Sequence, residues 1–281
     1  MATSKKGNYY KYAAAPTLDS DEHAVFGKSL GFAASESYRL LRTNIMFSLP
    51  TDSERRCRVI GITSANAGEG KSTTALNLAY MLAEAHQQTI LVEADMRLPT
   101  ISKRLGLKQS PGLSNVLVGL TSKVIAQPSG IEDLLKIISS GDIPPNPSEL
   151  LGSTKMRTLV EVLSKNADFI VIDLPPINEV ADALVVSQFV DGMLMVVRQN
   201  YASRHAVIDA MKQLDHANAK VLGFVVTGSE NFVKGKYKYK KYGKYKKYGR
   251  YGKYGKYGYS RSYGYAQAVA EENPGQVDIE I

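Results

Sequence analysis

The stretch TSANAGEGKSTT, residues 63–74, places a lysine and a run of hydroxyl side chains directly after two closely spaced glycines. An apolar run, CRVIGIT, precedes this stretch, and a helical pattern follows it. Backbone N–H groups of a glycine-rich loop and of a helix N-terminus bind phosphate oxygens. The pattern therefore predicts a phosphate-binding loop, or P-loop, formed by Ala67, Gly68, Glu69, Gly70, Lys71, Ser72 and Thr73.

Acidic residues follow two other apolar runs. ILVEADMRLP ends in Glu93 and Asp95, and DFIVIDLPP ends in Asp173. Carboxyl ends of strands in an open α/β sheet converge on the ligand crevice. A single acid at a strand end is more often a turn or cap residue, but two such ends beside a P-loop favour a nucleotide site. We expect ATP and Mg²⁺ there, with Lys71 on the β- and γ-phosphates. The predicted metal-binding residues are Ser72, Asp95 and Asp173.

Short apolar runs alternate with helical stretches along the middle of the chain. Continuous β-branched runs between helices indicate parallel strands that are buried on both faces. The sequence therefore predicts a doubly wound α/β fold, with a mostly parallel sheet and helices on both faces. The predicted strands are CRVIGIT, QTILVEA, LLKIIS, DFIVIDLPP, GMLMVVR and KVLGFVV. The predicted helices include ESYRLLRTNIMF, STTALNLAYMLAEAH, STKMRTLVEVLSK, EVADALVVSQF and RHAVIDAMKQLDHA, and another begins in PGLSNVLVG.

Residues 237–265 form a tract of tyrosine, lysine, arginine and glycine with two serines and no aliphatic side chain. The tract carries a formal charge of +10, while the whole 281-residue chain carries +8. The basicity of the protein therefore lies in this tract. We predict a flexible N-terminal arm at 1–30, a globular domain at 31–230 and a disordered tail at 231–281. The eleven tyrosines are Tyr237, Tyr239, Tyr242, Tyr245, Tyr248, Tyr251, Tyr254, Tyr257, Tyr259, Tyr263 and Tyr265.

Composition restricts the class of protein further. The single cysteine, Cys57, excludes a disulfide within the chain and suits a reducing compartment. The N-terminus has lysines without an apolar segment after them, so we expect no signal peptide. No apolar run approaches the length of a membrane span. We expect a cytoplasmic protein.

Several motifs together resemble the bacterial tyrosine kinases of capsule and exopolysaccharide synthesis, in their separate cytoplasmic form. These are the P-loop AGEGKS, the Walker B segment VIDLPP, the second acidic segment VEADMR, the stretch GDIPPNPSELLGS, the helix ESYRLLR and the tyrosine cluster. The likeness covers roughly residues 30–270. It implies a P-loop NTPase of the deviant Walker A group, which also contains the partition ATPases. Glu93 stands where the family's second acidic segment usually has an aspartate, and Thr227 where relatives often have an asparagine.

The resemblance also implies an activity, which is ATP-dependent phosphorylation of the C-terminal tyrosines, mainly between subunits. Lys71, Glu93, Asp95 and Asp173 would be the catalytic residues, with Glu93 orienting the tyrosine hydroxyl or taking its proton. The implied partners are further copies of the chain, a membrane-embedded chain-length regulator that recruits and activates the kinase at the membrane, a phosphotyrosine phosphatase and proteins of polysaccharide synthesis. The residues implied in self-association are Glu36, Arg39 and Arg42.

Two other functions compete with this interpretation. A partition or positioning ATPase would share the fold, but its P-loop carries an early signature lysine where this chain has Asn66. A polyanion-binding protein would use a basic aromatic tail, but this function leaves the nucleotide site without a role. Nucleic acid is therefore not expected as a physiological partner.

Overall fold

The computed structural model describes residues 26–49 and 57–228, together with the backbone of 277–280. The eleven tail tyrosines and most of the N-terminal arm lie outside the described residues. The described residues form eight strands, which are β1 Arg58–Ser64, β2 Thr89–Glu93, β3 Lys123–Pro128, β4 Leu135–Ile138, β5 Phe169–Asp173, β6 Gly192–Arg198, β7 Val221–Thr227 and β8 Val277–Glu280. The helices are α1 Phe32–Ser48, α2 Lys71–Glu84, α3 Ile101–Arg104, α4 Leu113–Val118, α5 Pro147–Leu151, α6 Thr154–Ser164, α7 Asp182–Val186 and α8 Arg204–His216.

The strands form one sheet in the order β7-β6-β1-β5-β2-β4-β3-β8. The pairs from β7 to β4 are parallel, whereas β3 runs antiparallel to both β4 and β8. The central strands β1, β2 and β5 are apolar and buried almost throughout. Such strands need cover on both faces, and this requirement decides where the helices lie.

Two hydrophobic cores cover the two faces of the sheet. On one face, Ile45 of α1 and residues of α2 such as Leu78 pack against Ile60 and Val171 of the strands. On the other face the core contains side chains of α4, α6, α7 and α8. The doubly wound, mostly parallel fold predicted from the sequence is confirmed.

All six predicted strands are present, but β3 and β8 were missed. The segment of β3, KVIAQP, mixes two apolar residues with lysine, glutamine and proline, so it lacks the long apolar run of a central strand. The predicted helix at residues 179–189 is confined to Asp182–Val186, because turn residues occupy 177–179. Among the described residues, no helix is long and apolar enough to cross a membrane.

The folded body extends beyond the predicted boundaries at both ends. Gly27 donates its backbone N–H to Asn77 Oδ1 at 3.2 Å, and Phe26 and Leu30 pack against the α1/α2 core. The body therefore begins within the segment predicted as an arm. At the other end, residues 277–280 depart from the disorder predicted for 231–281, because their alternating sequence pairs with β3.

Candidate active site

The P-loop connects β1 to α2 and ends where the helix begins at Lys71. Gly68 and Gly70 have φ angles of +77° and +93°, in the left-handed region that favours glycine. These two residues turn the backbone so that α2 can start directly after the loop. The helix N-terminus then provides the unpaired N–H groups and the positive end of the helix dipole that attract a phosphate.

Glu69 stabilises the P-loop through hydrogen bonds of its buried side chain. Its side chain is fully buried and accepts hydrogen bonds from the backbone N–H of Asn66 at 2.8 Å and of Arg198 at 3.2 Å. The hydroxyl of Thr227 donates to the carbonyl oxygen of Glu69 at 2.7 Å. The Glu69 side chain thus fixes the loop to the end of β6, and its backbone carbonyl fixes the loop to the end of β7. Only the backbone N–H of Glu69 remains available for the predicted ligand contact.

Other predicted loop residues also have partners in the protein. The backbone N–H of Ala67 donates to Glu179 Oε1 at 2.9 Å, and the Thr73 hydroxyl accepts from Arg104 Nη1 at 2.9 Å. A carboxylate oxygen on a P-loop N–H makes the same type of contact as a phosphate oxygen. Neither Glu179 nor Arg104 lies in a sequence motif, so the sequence did not predict these two contacts.

Lys71 and Asp95 form a partly buried ion pair. Lys71 Nζ lies 3.0 Å from Asp95 Oδ2, and the two side chains are 11% and 4% exposed. Asp95 Oδ1 also accepts the backbone N–H of Leu98 at 3.1 Å. The structure thus brings together the cation and one of the predicted metal-binding carboxylates.

Asp173 ends β5 and is only 1% exposed. Its Oδ1 has no hydrogen-bond partner among the described residues. Burial raises the pKa of this carboxyl to about 7, although the charge of Lys71 and a hydrogen bond with Ser72 oppose the shift. A nearby cation would favour the charged form. A positive ion bound at Asp173 would therefore stabilise the charged form of this carboxylate.

Glu93 occupies a different environment from the other two acids. It is fully buried at the end of β2. Its Oε1 accepts the backbone N–H groups of Ile101 at 2.6 Å and of Ser102 at 3.4 Å. Its Oε2 accepts the Ser102 hydroxyl at 2.7 Å and the backbone N–H of Ser140 at 3.4 Å. Both oxygens are occupied, so these contacts do not support the predicted base role and instead give Glu93 a positioning role.

Arg97 connects this edge of the sheet to two helices. Its guanidinium binds both carboxylate oxygens of Asp182 at 3.2 Å, and its Nη2 donates to the Ser148 hydroxyl at 3.4 Å. Ser148 also donates to Asp182. Bidentate arginine–carboxylate pairs fix orientation as well as charge. The motifs VEADMR and GDIPPNPSELLGS contain Arg97 and Ser148, but only the fold shows that Asp182 joins them.

The predicted self-association residues contact their own chain. Arg39 bridges Glu36 at 2.6 Å and Glu84 at 3.5 Å, and Arg42 donates to the carbonyl oxygen of Met81 at 2.9 Å. These bonds attach α1 to the last turn of α2. The Arg39 and Glu36 side chains remain 40% and 49% exposed, so they are also accessible to a second molecule.

The residues at this edge suit a divalent cation that is shared with a phosphate ligand. Within the described parts of the chain, no group of three or more His, Cys, Asp or Glu side chains could hold a metal ion. Mg²⁺ typically uses one or two carboxylates and completes its shell with water and phosphate oxygens. Asp95, Asp173 and the Ser72 hydroxyl fit that requirement.

The first prediction concerns Asp173 in the absence of metal and nucleotide. An unfolded aspartate has a pKa near 3.9, so the folded chain binds the extra proton between about pH 4 and pH 7. Stability therefore falls as pH rises through this window, by about 4 kcal/mol from this group. Urea unfolding at several pH values should show that Asp173→Asn lacks this fall. Parallel pH profiles for both proteins would contradict the raised pKa.

The second prediction concerns Glu93. Glu93→Ala leaves buried donors unpaired, so we expect it to lower the free energy of unfolding by about 3 kcal/mol, with Glu93→Gln between it and the unmodified chain. The exposed Glu161→Ala variant is the matched control and should change stability by less than about 0.5 kcal/mol. Urea unfolding measures all three. A Glu93→Ala variant as stable as the control would refute the positioning role.

Comparison with known proteins supports one family. The ParA model, described as the NUBPL iron-transfer P-loop NTPase, matches residues 56–248. The tyrosine-protein kinase YwqD of Bacillus subtilis is 36% identical over 205 residues, which cover 73% of this chain and 85% of YwqD.

Solved structures agree with the sequence relatives. The chimerical protein CapA2B2 has a TM-score of 0.63 and 37% identity, covering 68% of this chain and 83% of that one. The kinase domain of the Escherichia coli tyrosine kinase ETK has a TM-score of 0.64 and 30% identity, covering 70% and 77%. The cell division ATPase MinD of Pyrococcus furiosus, at 24% identity and a TM-score of 0.51 over 60% of this chain and 71% of that one, shares the fold.

The identities, the coverage and the placement of the two acidic strand ends beside the P-loop lead to one assignment. The chain belongs to the bacterial tyrosine kinases, a family of protein-tyrosine kinases built on the ParA-type P-loop fold.

Proposed function

We propose that the protein is an MgATP-dependent tyrosine kinase that phosphorylates its own C-terminal tyrosine cluster, mainly between subunits, and thereby regulates capsular or exopolysaccharide synthesis and export. The observation that carries the proposal is the Lys71–Asp95 contact of 3.0 Å beside Asp173 Oδ1, which has no hydrogen-bond partner in the described part of the chain. A cation and two buried acids at the start of α2 are the groups that phosphoryl transfer requires.

Bound MgATP would supply the phosphoryl group and a divalent ion that neutralises its charge. Lys71 would leave Asp95 for the β- and γ-phosphate oxygens, where its charge stabilises the transferring group. The N–H groups of the P-loop would hold the remaining phosphate oxygens. Ser72 would bind the metal directly, and Asp95 and Asp173 would bind it directly or through water. Glu93 would hold α3 and the segment at Ser140 against the end of β2.

The acceptor would be a tyrosine of the tract 237–265. A phenol has a pKa near 10, so its orientation beside a carboxylate and a cation matters more than the strength of the base. The +10 charge of the tract favours its approach to an edge that carries buried acids. Phosphorylation adds about −1.5 to −2 charges per tyrosine, so about five to seven phosphates would cancel the charge of the tract.

The partners of this activity follow from the family. The kinase would form homo-oligomers through Glu36, Arg39 and Arg42, and a membrane-embedded chain-length regulator would recruit it from the cytoplasm to the inner face of the membrane. A phosphotyrosine phosphatase would reset the tail. Other substrates would be proteins of polysaccharide synthesis.

A partition-type ATPase is the second candidate on this fold. In this chain, however, the position of the partition signature lysine is Asn66, whose backbone and side chain both bond to Glu69. Asn66 faces its own loop and carries no charge for the nucleotide of a partner. This contact favours the kinase over the ATPase.

Replacement of the active-site lysine tests the proposed chemistry. Lys71→Met should lower tyrosine phosphorylation by at least about 10²-fold, because no other cation contacts Asp95 in the described structure. The exposed Lys165→Met, directly after α6, is the control and should retain activity. Labelled ATP with phosphotyrosine mapping by mass spectrometry measures the effect, and circular dichroism checks the fold. A folded Lys71→Met protein with unchanged phosphotyrosine would refute the nucleotide site.

Transfer between subunits has its own test. A Lys71→Met chain is mixed with an active chain whose eleven tail tyrosines are replaced by phenylalanine. Phosphate should then appear on the tail of the Lys71→Met chain and rise with protein concentration, because only a second molecule can supply it. If that tail stays unmodified while the unmutated protein phosphorylates itself, transfer is within the chain.

A further inference from the structure

The outer edge of β3 binds the C-terminal end of the chain as an added strand. β8, Val277–Glu280, pairs antiparallel with Lys123–Ala126. Without β8, β3 would be an edge strand with unpaired N–H and C=O groups, which is a template for strand addition. The residues between β7 and β8, 229–276, contain the whole tyrosine tract.

The register of the pair matches the two sequences. Val124 and Ala126 are fully buried, whereas Lys123 is exposed. Directly opposed residues of antiparallel strands share a face of the sheet, and the pairing sets Ile279 opposite Val124 and Val277 opposite Ala126. The register therefore sets the two apolar residues of β8 opposite the two buried residues of β3. A shift of one residue would reverse this match, so the alternation in VDIE specifies the pairing.

Charge agrees with the same register. The register sets Glu280 opposite Lys123. Opposite charges at paired positions favour antiparallel pairing, whereas like charges disfavour it. The pairing thus depends on both the apolar and the charged positions of the last residues of the chain.

The two ends of the tyrosine-bearing segment lie on opposite sides of the active site. The chain leaves the sheet at β7 and returns at β8, which are its two outermost strands. The strands next to the P-loop, Asp95 and Asp173 lie between them. Seven strand spacings amount to about 34 Å, and the 48 intervening residues can span this distance several times over.

We propose that the outer edge of β3 is a docking site for residues 277–280 of the same chain, and that docking reduces delivery of the tyrosines to neighbouring subunits. The functional consequence, though not the docking itself, rests on the proposed kinase activity. A segment fixed at both ends to one molecule has a higher effective concentration at that molecule and a lower one at its neighbours. A strand of four residues is held by few bonds, so it can detach while the fold stays intact.

Paired cysteines test the docking directly. Lys123→Cys with Glu280→Cys places two thiols at opposed positions, and Lys123→Cys with Val277→Cys is the control, since the register separates that pair by about 10 Å. Cys57, the only native cysteine, is buried in the structure. It should therefore not react in either of the two double-cysteine variants. Oxidation of the dilute full chain should cross-link the first pair within one molecule and leave the control open. Equal cross-linking of the two pairs, or a cross-link only between chains, would overturn the proposal.

A reversed strand tests the same docking without cysteines. The variant Val277→Asp, Asp278→Val, Ile279→Glu, Glu280→Ile keeps composition and charge but exchanges the two faces. Hydrogen exchange of the amides of 123–126 in the full chain should become at least several-fold faster in this variant. Unchanged exchange would overturn the docking, whatever the kinase activity proves to be.

The consequence is measured with the mixed-subunit assay. The acceptor is the Lys71→Met chain with either the native or the reversed strand, and the donor is the active chain without tail tyrosines. Transfer to the acceptor should rise several-fold with the reversed strand, because its tail is then held only at β7. Equal transfer of phosphate to both acceptors would overturn the proposal that docking of residues 277–280 reduces delivery of the tyrosines to neighbouring subunits. Absence of phosphate from both acceptors and from the unmutated protein would instead refute the kinase proposal, while hydrogen exchange still reports the docking.

Discussion

Negative charge is buried at the carboxyl ends of β2 and β5, and the site is organised around the need to stabilise it. Glu93, Asp95 and Asp173 are all buried. An ionised carboxylate away from water is unstable unless it is paired or accepts hydrogen bonds. Each of the three acids meets this need differently: Glu93 with backbone N–H groups and a hydroxyl, Asp95 with Lys71, and Asp173 only in part.

These differences separate structural from chemical roles. Glu93 has donors on both oxygens and holds α3 and Ser140 in place. Among the described residues, Asp173 Oδ1 has no hydrogen-bond partner, and burial raises the pKa of this carboxyl to about 7. Perturbed acids with incomplete partners are typical of functional sites. A cation bound at this edge would stabilise the buried Asp173 carboxylate. The burial of Asp173, which lowers the stability of the fold, therefore favours the binding of a metal ion and its phosphate ligand.

The P-loop is tied to the part of the sheet from which the tail departs. Glu69 joins the loop to the end of β6, and the Thr227 hydroxyl joins it to the end of β7. The tyrosine tract follows the same strand in the sequence, and it begins at Tyr237, ten residues after Thr227. The P-loop is thus fixed to the strand that precedes the proposed substrate segment in the chain.

The sequence by itself determined the fold class, the P-loop and the two acidic strand ends, because these depend on local patterns. Hydrophobic periodicity distinguishes buried strands from helices, and closely spaced glycines before Lys71 record the left-handed turn that starts α2. The partners of Glu93, Glu69 and Asp182 could not be derived in this way. They come from residues up to 158 positions away, which only the chain topology brings together.

Tertiary structure also determined that β3 and β8, whose sequences alone do not predict a strand, form strands. KVIAQP and VDIE are too short and too polar to be recognised as strands by themselves, because pairing with a neighbour, rather than intrinsic propensity, stabilises an edge strand. For Glu93, the sequence placed a carboxylate at a strand end beside the nucleotide. Whether that carboxylate faces the ligand or the protein depends on donors contributed by α3 and by the segment after β4, which the fold sets around it.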